Sequence, residues 1–398
     1  MSIPPDQPSL SSGPPVASNS QTHVVIGGGI IGLSIAYELA KRGQLVVVLE
    51  RDQFAMQSSW AGAGIIPAEN PETAIHPLEH LESLSHDLHK QWAKELLTQT
   101  GIDNGFRECG GLHLARTTGE LAAIAGLKSD WTERNIPFET LDAEQTKERF
   151  PFLSPTIHQA AWVPGESQFT NPRHNEALIS ACQQLGVQLH ENLGDVKLIL
   201  DESSGEILHA SADQQTFAAN NFFVTAGPWS EQITQPLEVS LPMQPVRGQI
   251  AMYQVPPDVV STADWPIINE GSRYLVPRCD GHIIAGATIE EVGFDCQTTD
   301  AEVAHLRQWA EGISNHLNDS TYVKAWAGLR PGTYDGFPYL GQIGRFRNVF
   351  VATGHFKAGL HLSTGTAVAM ADLALGKNPT VDLKPFSPQR IASLQTPS

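Results

Sequence analysis

Cysteine and positive charge are both scarce in this 398-residue chain. Four cysteines, Cys109, Cys182, Cys279 and Cys296, stand far apart with no CxxC pair, so they build no disulfide framework and read as reduced, mostly buried thiols. With 25 Lys and Arg against 43 Asp and Glu, the net charge is −18. That balance removes the basic footprint which nucleic acid or anionic lipid requires. No apolar run approaches the roughly 18 residues of a membrane span. The first 21 residues are rich in Ser, Pro and Gly and lack the basic and apolar regions of a secretory signal. They are expected to be a disordered leader on a cytoplasmic protein. The length exceeds what one hydrophobic core usually serves, so two domains are expected.

The sequence is most specific between His23 and Arg51. An apolar strand, His23-Val24-Val25-Ile26, runs into Gly27-Gly28-Gly29-Ile30-Ile31-Gly32, a helix over 33–42 closed by Gly43, and a second apolar strand, 45–49, ending in Glu50. This is the order of a dinucleotide-binding βαβ unit. Gly27 allows the sharp turn out of the strand, Gly29 lets the backbone approach a pyrophosphate, and Gly32 lets helix and strand pack closely. The helix N-terminus then holds the anion. Glu50 lies 18 residues after Gly32, where an acid accepts from a ribose 2′-OH and disfavours a 2′-phosphate. The cofactor is therefore FAD or NAD, not NADP.

The choice between them rests on the rest of the chain. No second GxGxxG follows a strand, so one dinucleotide is bound. Near the end, the strand Asn348-Val349-Phe350-Val351-Ala352-Thr353 enters Gly354-His355-Phe356-Lys357-Ala358-Gly359 and an Ala-rich helix over 360–375. This second glycine turn has no acid at ribose distance, which leaves its helix start free for a flavin N1/C2=O edge that gains negative charge on reduction. A third apolar strand, Phe222-Phe223-Val224-Thr225, ends in Ala226-Gly227. Cofactor-contacting pieces from both ends and the middle of the chain predict an FAD domain of discontinuous segments with a substrate domain inserted between them.

One motif points elsewhere. His76-Pro77-Leu78-Glu79-His80 has the HxxEH spacing of a zinc peptidase, followed by His86 and His89. Pro77 suggests that a helix is only starting there, so the segment reads as a His-rich, partly exposed face of a helix over 78–97, and no metal is expected.

Taken together, the glycine loop with Glu50-Arg51, the segment Ser58-Ser59-Trp60-Ala61-Gly62-Ala63-Gly64-Ile65, the strand Tyr274-Leu275-Val276-Pro277-Arg278, Trp326-Ala327-Gly328-Leu329-Arg330-Pro331 and the Gly354–Gly359 turn resemble the D-amino-acid oxidase superfamily of flavoenzymes, most of all the glycine oxidases of thiamine biosynthesis. The resemblance covers residues 22–378. It implies an α/β protein: a Rossmann-like FAD-binding domain (22–84, 165–233 and 323–378) with an α+β substrate domain (85–164 and 234–322) whose antiparallel sheet roofs the flavin, and a tail over 379–398. By position, Gly27, Gly29, Ile30, Ile31, Gly32, Glu50, Arg51, Ser58, Ser59, Ala63, Gly64, Ile65, Val196, Gly354, His355, Phe356, Lys357, Ala358, Gly359, Leu360 and His361 would form the FAD site.

The resemblance also places the substrate carboxylate on Arg330 and Tyr274, with Lys357 nearby. A guanidinium fork and a phenol on an apolar wall suit that task on chemical grounds alone; the alternatives are a structural ion pair for Arg330 and an ordinary roof position for Tyr274. Lys357 stands where the glycine oxidases usually carry arginine, keeping the charge without the fork. No cysteine follows the Arg330 segment, so FAD is expected to be non-covalent. The implied chemistry is hydride loss from a small amine such as glycine to the flavin, with no protein acid or base, and oxygen as the acceptor giving hydrogen peroxide. A D-amino-acid dehydrogenase passing electrons elsewhere is the alternative; a flavin-binding protein without turnover is a third. The expected partners are the amine and oxygen, with no nucleic acid and no membrane; a homo-oligomer is allowed.

Overall fold

The computed structural model describes residues 20–154, 156–256 and 261–390. Residues 1–19 of the expected leader and the last eight residues lie outside this range. The fold is a base of parallel sheet and helices beneath a roof of antiparallel sheet.

The base sheet has six strands in the order Tyr339–Gln342, Val349–Thr353, Asn221–Val224, Thr22–Ile26, Leu45–Leu49, Gln188–His190. All neighbours are parallel except the Tyr339–Gln342 edge. A parallel strand covered on both faces must be apolar throughout, which is why these segments read as runs such as Leu-Val-Val-Val-Leu. Helices Ile30–Lys41, Pro77–Thr100, Asn171–Gln184 and Gly359–Ala374 bury one face in a core around Tyr37, Trp92 and Met370. A small antiparallel sheet, Lys197–Asp201, Glu206–Ala212 and Gln215–Ala218, packs on the other. The chain leaves Thr22–Ile26 towards Leu45–Leu49 on one side and returns as Asn221–Val224 on the other. The C-terminal end of Thr22–Ile26 is thus the topological switch point, where ligands bind in open α/β sheets.

The roof is an eight-stranded sheet in the order Thr321–Gly332, Gln244–Gln254, His282–Gly286, Arg273–Pro277, Ile267–Glu270, Gly111–Ala115, Gln159–Val163, Glu139–Asp142. It is antiparallel apart from the parallel pairing of Ile267–Glu270 with Gly111–Ala115. Helix Asp300–Ile313 seals its far face through Leu306, Trp309 and Ile313.

Three expected boundaries fall differently. The boundary at 84/85 cuts through the helix Pro77–Thr100, whose Leu81, Trp92 and Leu96 all pack into the base core. The boundary at 322/323 falls within the strand Thr321–Gly332, which belongs to the roof because it pairs with Gln244–Gln254 along its whole length. Residues 379–390 are not a loose tail: Val381, Leu383 and Phe386 are buried in the base core, and Arg390 ion-pairs with Asp335.

Two other readings also change. Only Cys182 is buried; Cys279 and Cys296 are exposed and Cys109 is intermediate. The HxxEH segment is a capping box: the His76 ring accepts from the Leu78 N–H while the Glu79 carboxylate accepts from the His76 N–H at 3.1 Å. His89 is not on an exposed face but buried, its Nε2 2.7 Å from the His361 carbonyl. Among the described residues no group of three or more His, Cys, Asp or Glu side chains could hold a metal ion.

The core holds an unusual set of neutral histidines. Burial depresses His23 and His89 to about 4, and His174, His355 and His361 to about 3. In the unfolded chain each takes up a proton near pH 6.5, so their contribution to stability is complete above that pH and is lost as pH falls through the window from about 6.5 to 3. Glu69 and Glu82, raised by burial to about 8 and about 7, act in the opposite sense but are outnumbered. The melting temperature should therefore fall steadily between pH 6.5 and 4.5 in calorimetry; a flat profile across that window would contradict the neutral histidine core.

Candidate active site

The site is built where base and roof meet. Gly27 leaves its strand at φ 109°, a conformation closed to other residues, and a Cβ there would lie 2.7 Å from the Thr225 carbonyl. A Cβ on Gly32 would overlap the Gly27 carbonyl, so the first helical turn sits directly against the loop. Gly29 forms the N-cap, with only the Ser59 hydroxyl near the place of its missing side chain, at 3.1 Å. That hydroxyl accepts from the Ile30 N–H at 2.8 Å and so ties residues 58–61 to the loop. Glu50 closes the next strand with its carboxylate accepting from the N–H groups of Gly28 (2.7 Å) and Asp52 (2.9 Å). Burial raises its pKa and those two donors oppose the rise. Beside it, the Arg51 guanidinium stacks 4.6 Å from the Trp229 ring centroid.

A single cavity runs from this loop to the roof. Every residue assigned from the sequence to the FAD or substrate site lines it except Gly32, Gly354, Ala358 and His361. Gly32 and Gly354 shape the two turns without facing the cavity; Gly354 takes φ 81°. His361 lies two residues into the helix after Gly359 and so turns away, its Nε2 3.2 Å from the Glu82 carbonyl. The walls combine a Cβ-free approach at Gly29, two helix starts and apolar side chains such as Ile30, Ile65 and Val196. This arrangement fits a flavin dinucleotide: a pyrophosphate on the first helix start, a ribose at Glu50, and an isoalloxazine between the roof and the turn at His355–Gly359.

Arg330 and Tyr274 meet on the underside of the roof although their strands are not neighbours. The strands between them carry glycine at the two crossing points. A Cβ on Gly248 would overlap the Arg330 guanidinium, and one on Gly286 would come within 2.7 Å of the Tyr274 ring and hydroxyl. Both side chains therefore lie flat across bare backbone and converge, so that the phenol and the guanidinium feel each other's charge. Arg330 Nη1 also donates to the carbonyls of Thr288 (3.0 Å) and Arg247 (3.3 Å). Burial pulls the Arg330 pKa down and pushes that of Tyr274 up, each partly offset by the other. Among the described residues no carboxylate ion-pairs with Arg330. Glu290, the acid whose charge reaches it, is taken by Arg247 (2.7 Å), Gln249 (2.9 Å) and Thr288 (2.5 Å).

Several supporting residues escaped the reading of the sequence. Arg247 is buried and holds Glu290 and Asp295, which fixes the segment that gives Arg330 its Thr288 carbonyl. Arg278, equally buried, donates to Gln168 (2.6 Å), Phe169 O (2.9 Å) and Ala63 O (2.7 Å), joining the roof to the loop at Ala63. Gly248 and Gly286 were the legible signal, since glycine inside a strand marks a close approach.

A family model described as FAD dependent oxidoreductase matches residues 22–373. The chain is 31% identical over 371 residues to the glycine oxidase of Pseudomonas aeruginosa, covering 93% of this chain and 99% of that one. It is 32% identical over 378 residues to the bifunctional protein ThiO/ThiG of Synechocystis, covering 94% of this chain and 54% of that protein. The crystal structure of glycine oxidase from Geobacillus kaustophilus superposes with a TM-score of 0.85 at 30% identity, covering 93% of this chain and 99% of that one. With the loop, the roof and the cavity between them, these similarities establish that the chain belongs to the DAO family of FAD dependent oxidoreductases.

Proposed function

We propose that this protein oxidises glycine or a closely related small amine to the imine, which hydrolyses to the 2-oxo acid and ammonia or enters thiazole synthesis for thiamine, with oxygen reduced to hydrogen peroxide. The observation that carries the reading is the Arg330–Tyr274 pair: a partly buried cation with which no carboxylate among the described residues ion-pairs, braced on bare glycine backbone and facing the cavity. Such a group is stable when a ligand carboxylate completes it. Similarity to the glycine oxidases supports the same conclusion.

Bound FAD supplies a two-electron acceptor. The protein's part is positional. Arg330 offers two parallel donors to the substrate carboxylate and Tyr274 a third, fixing the Cα–H towards the base of the cavity, where such alignment lowers a barrier by several kcal/mol. Both groups keep their protons at neutral pH, since burial raises the phenol and a guanidinium stays charged. His355 is held neutral by burial and bonded to Thr366 at 3.1 Å, so it is not a base for the reaction. The substrate amine must therefore arrive or become neutral by itself.

Anaerobic mixing of the holoenzyme with glycine, sarcosine or D-alanine should bleach the flavin absorbance, and air should restore it with stoichiometric peroxide. Bleaching without rapid reoxidation would place the electrons on another acceptor, and no bleaching with any amine would end the proposal. Arg330→Ala should raise KM by about 30-fold to 1000-fold, the cost of roughly 2–4 kcal/mol for a lost charge-assisted contact, while FAD stays bound. Gly248→Ala should fold, because the atoms in its way are the free end of a flexible side chain, yet displace that guanidinium. Its KM should rise towards that of Arg330→Ala with the flavin spectrum unchanged.

A further inference from the structure

The substrate end of the cavity carries two cations. Lys357 comes from the turn that follows Gly354, and this turn packs against the strand of Arg330 just beyond it: a Cβ on Gly332 would touch the Phe356 ring at 3.7 Å. Both Lys357 and Arg330 line the cavity, and the Arg330 charge reaches Lys357 and lowers its pKa after burial does. The acids that line it, Glu50 and Asp195, sit together at the opposite end, where Gly194 N–H donates to the Arg51 carbonyl at 3.0 Å. Glu290 is committed to three other donors. Among the described residues Lys357 has no acidic partner; its Nζ rests 5.3 Å from the centroid of the Phe356 ring. One substrate carboxylate can complete the Arg330–Tyr274 fork, and the second cation is then left over.

We propose that Lys357 forms a second carboxylate subsite, so that the favoured substrates are small amines bearing two acidic groups, one held by Arg330 and Tyr274 and the other by Lys357. This rests on the amine-oxidase reading and narrows its substrate class. Like charges sharing a partly desolvated pocket repel, and a dianion relieves both at once. The second carboxylate can be carried on the amine nitrogen or on a side chain, since either branch leaves the first carboxylate in the fork.

Unreactive probes separate binding from turnover. The holoenzyme should be titrated with acetate and with malonate, succinate and diglycolate, following the flavin absorbance. The best dicarboxylate should bind about tenfold to a hundredfold more tightly than acetate, the worth of one added charge-assisted contact. That ratio should collapse towards one in Lys357→Met and persist in Lys357→Arg. In turnover, iminodiacetate compared with sarcosine, and D-aspartate with D-alanine, show which branch carries the second group. A ratio near one in the native protein overturns the subsite. So does a ratio that survives Lys357→Met, or a Lys357→Met change confined to the flavin midpoint potential, which would give the lysine to the cofactor. Bleaching by glycine or sarcosine judges the underlying reading separately, and it stands even if the dicarboxylates show no advantage.

Discussion

A guanidinium that no carboxylate among the described residues pairs with is the constraint around which the upper half of this molecule is arranged. Burying a charge is costly unless it is paired or fully hydrogen-bonded, and folding alone would favour an acid beside Arg330. The protein instead gives it backbone carbonyls from Arg247 and Thr288 and sets the Tyr274 phenol nearby. Glu290, the acid whose charge reaches Arg330, is paired with Arg247. The segment that follows Gly286 is thus pinned by one arginine so that a different arginine stays available.

The same logic explains why the roof is an antiparallel sheet with glycine at its centre. Long side chains normally stand perpendicular to a sheet. Arg330 and Tyr274 lie along it because Gly248 and Gly286 offer no Cβ, and their strands are separated by just the two that carry those glycines. The base does the converse: its central strands are apolar on both faces, and polar groups such as Glu50 sit at strand ends where loops and helix starts surround the cavity.

These differences account for what was legible in the sequence. The glycine loop, Glu50 and the apolar runs could be read because close packing and two-sided burial act locally, within a few residues. The pairing of Tyr274 with Arg330 came through resemblance, because nothing within either segment states that strands 56 residues apart in sequence will converge. The domain boundaries were less legible still. The helix Pro77–Thr100 has an unbroken helical pattern whose apolar positions serve the base, while the chain continues directly into the roof. Likewise HxxEH spacing is shared by zinc ligands and capping boxes, and only Pro77 told them apart. The burial of His89, His174 and His361 was not foreseen, since a histidine bonded inside a core looks in sequence like one that faces water.

The order of the base strands has a consequence for synthesis. Val349–Thr353 lies inside the sheet beside Asn221–Val224, and the helix Gly359–Ala374 covers strands made some 300 residues earlier. Until that segment leaves the ribosome, Phe222, Phe223 and Val224 form an open, apolar edge and the cavity lacks the turn at His355–Gly359. Closure of the sheet, cofactor capture and protection from aggregation therefore arrive together, only once residues 349–374 have been made.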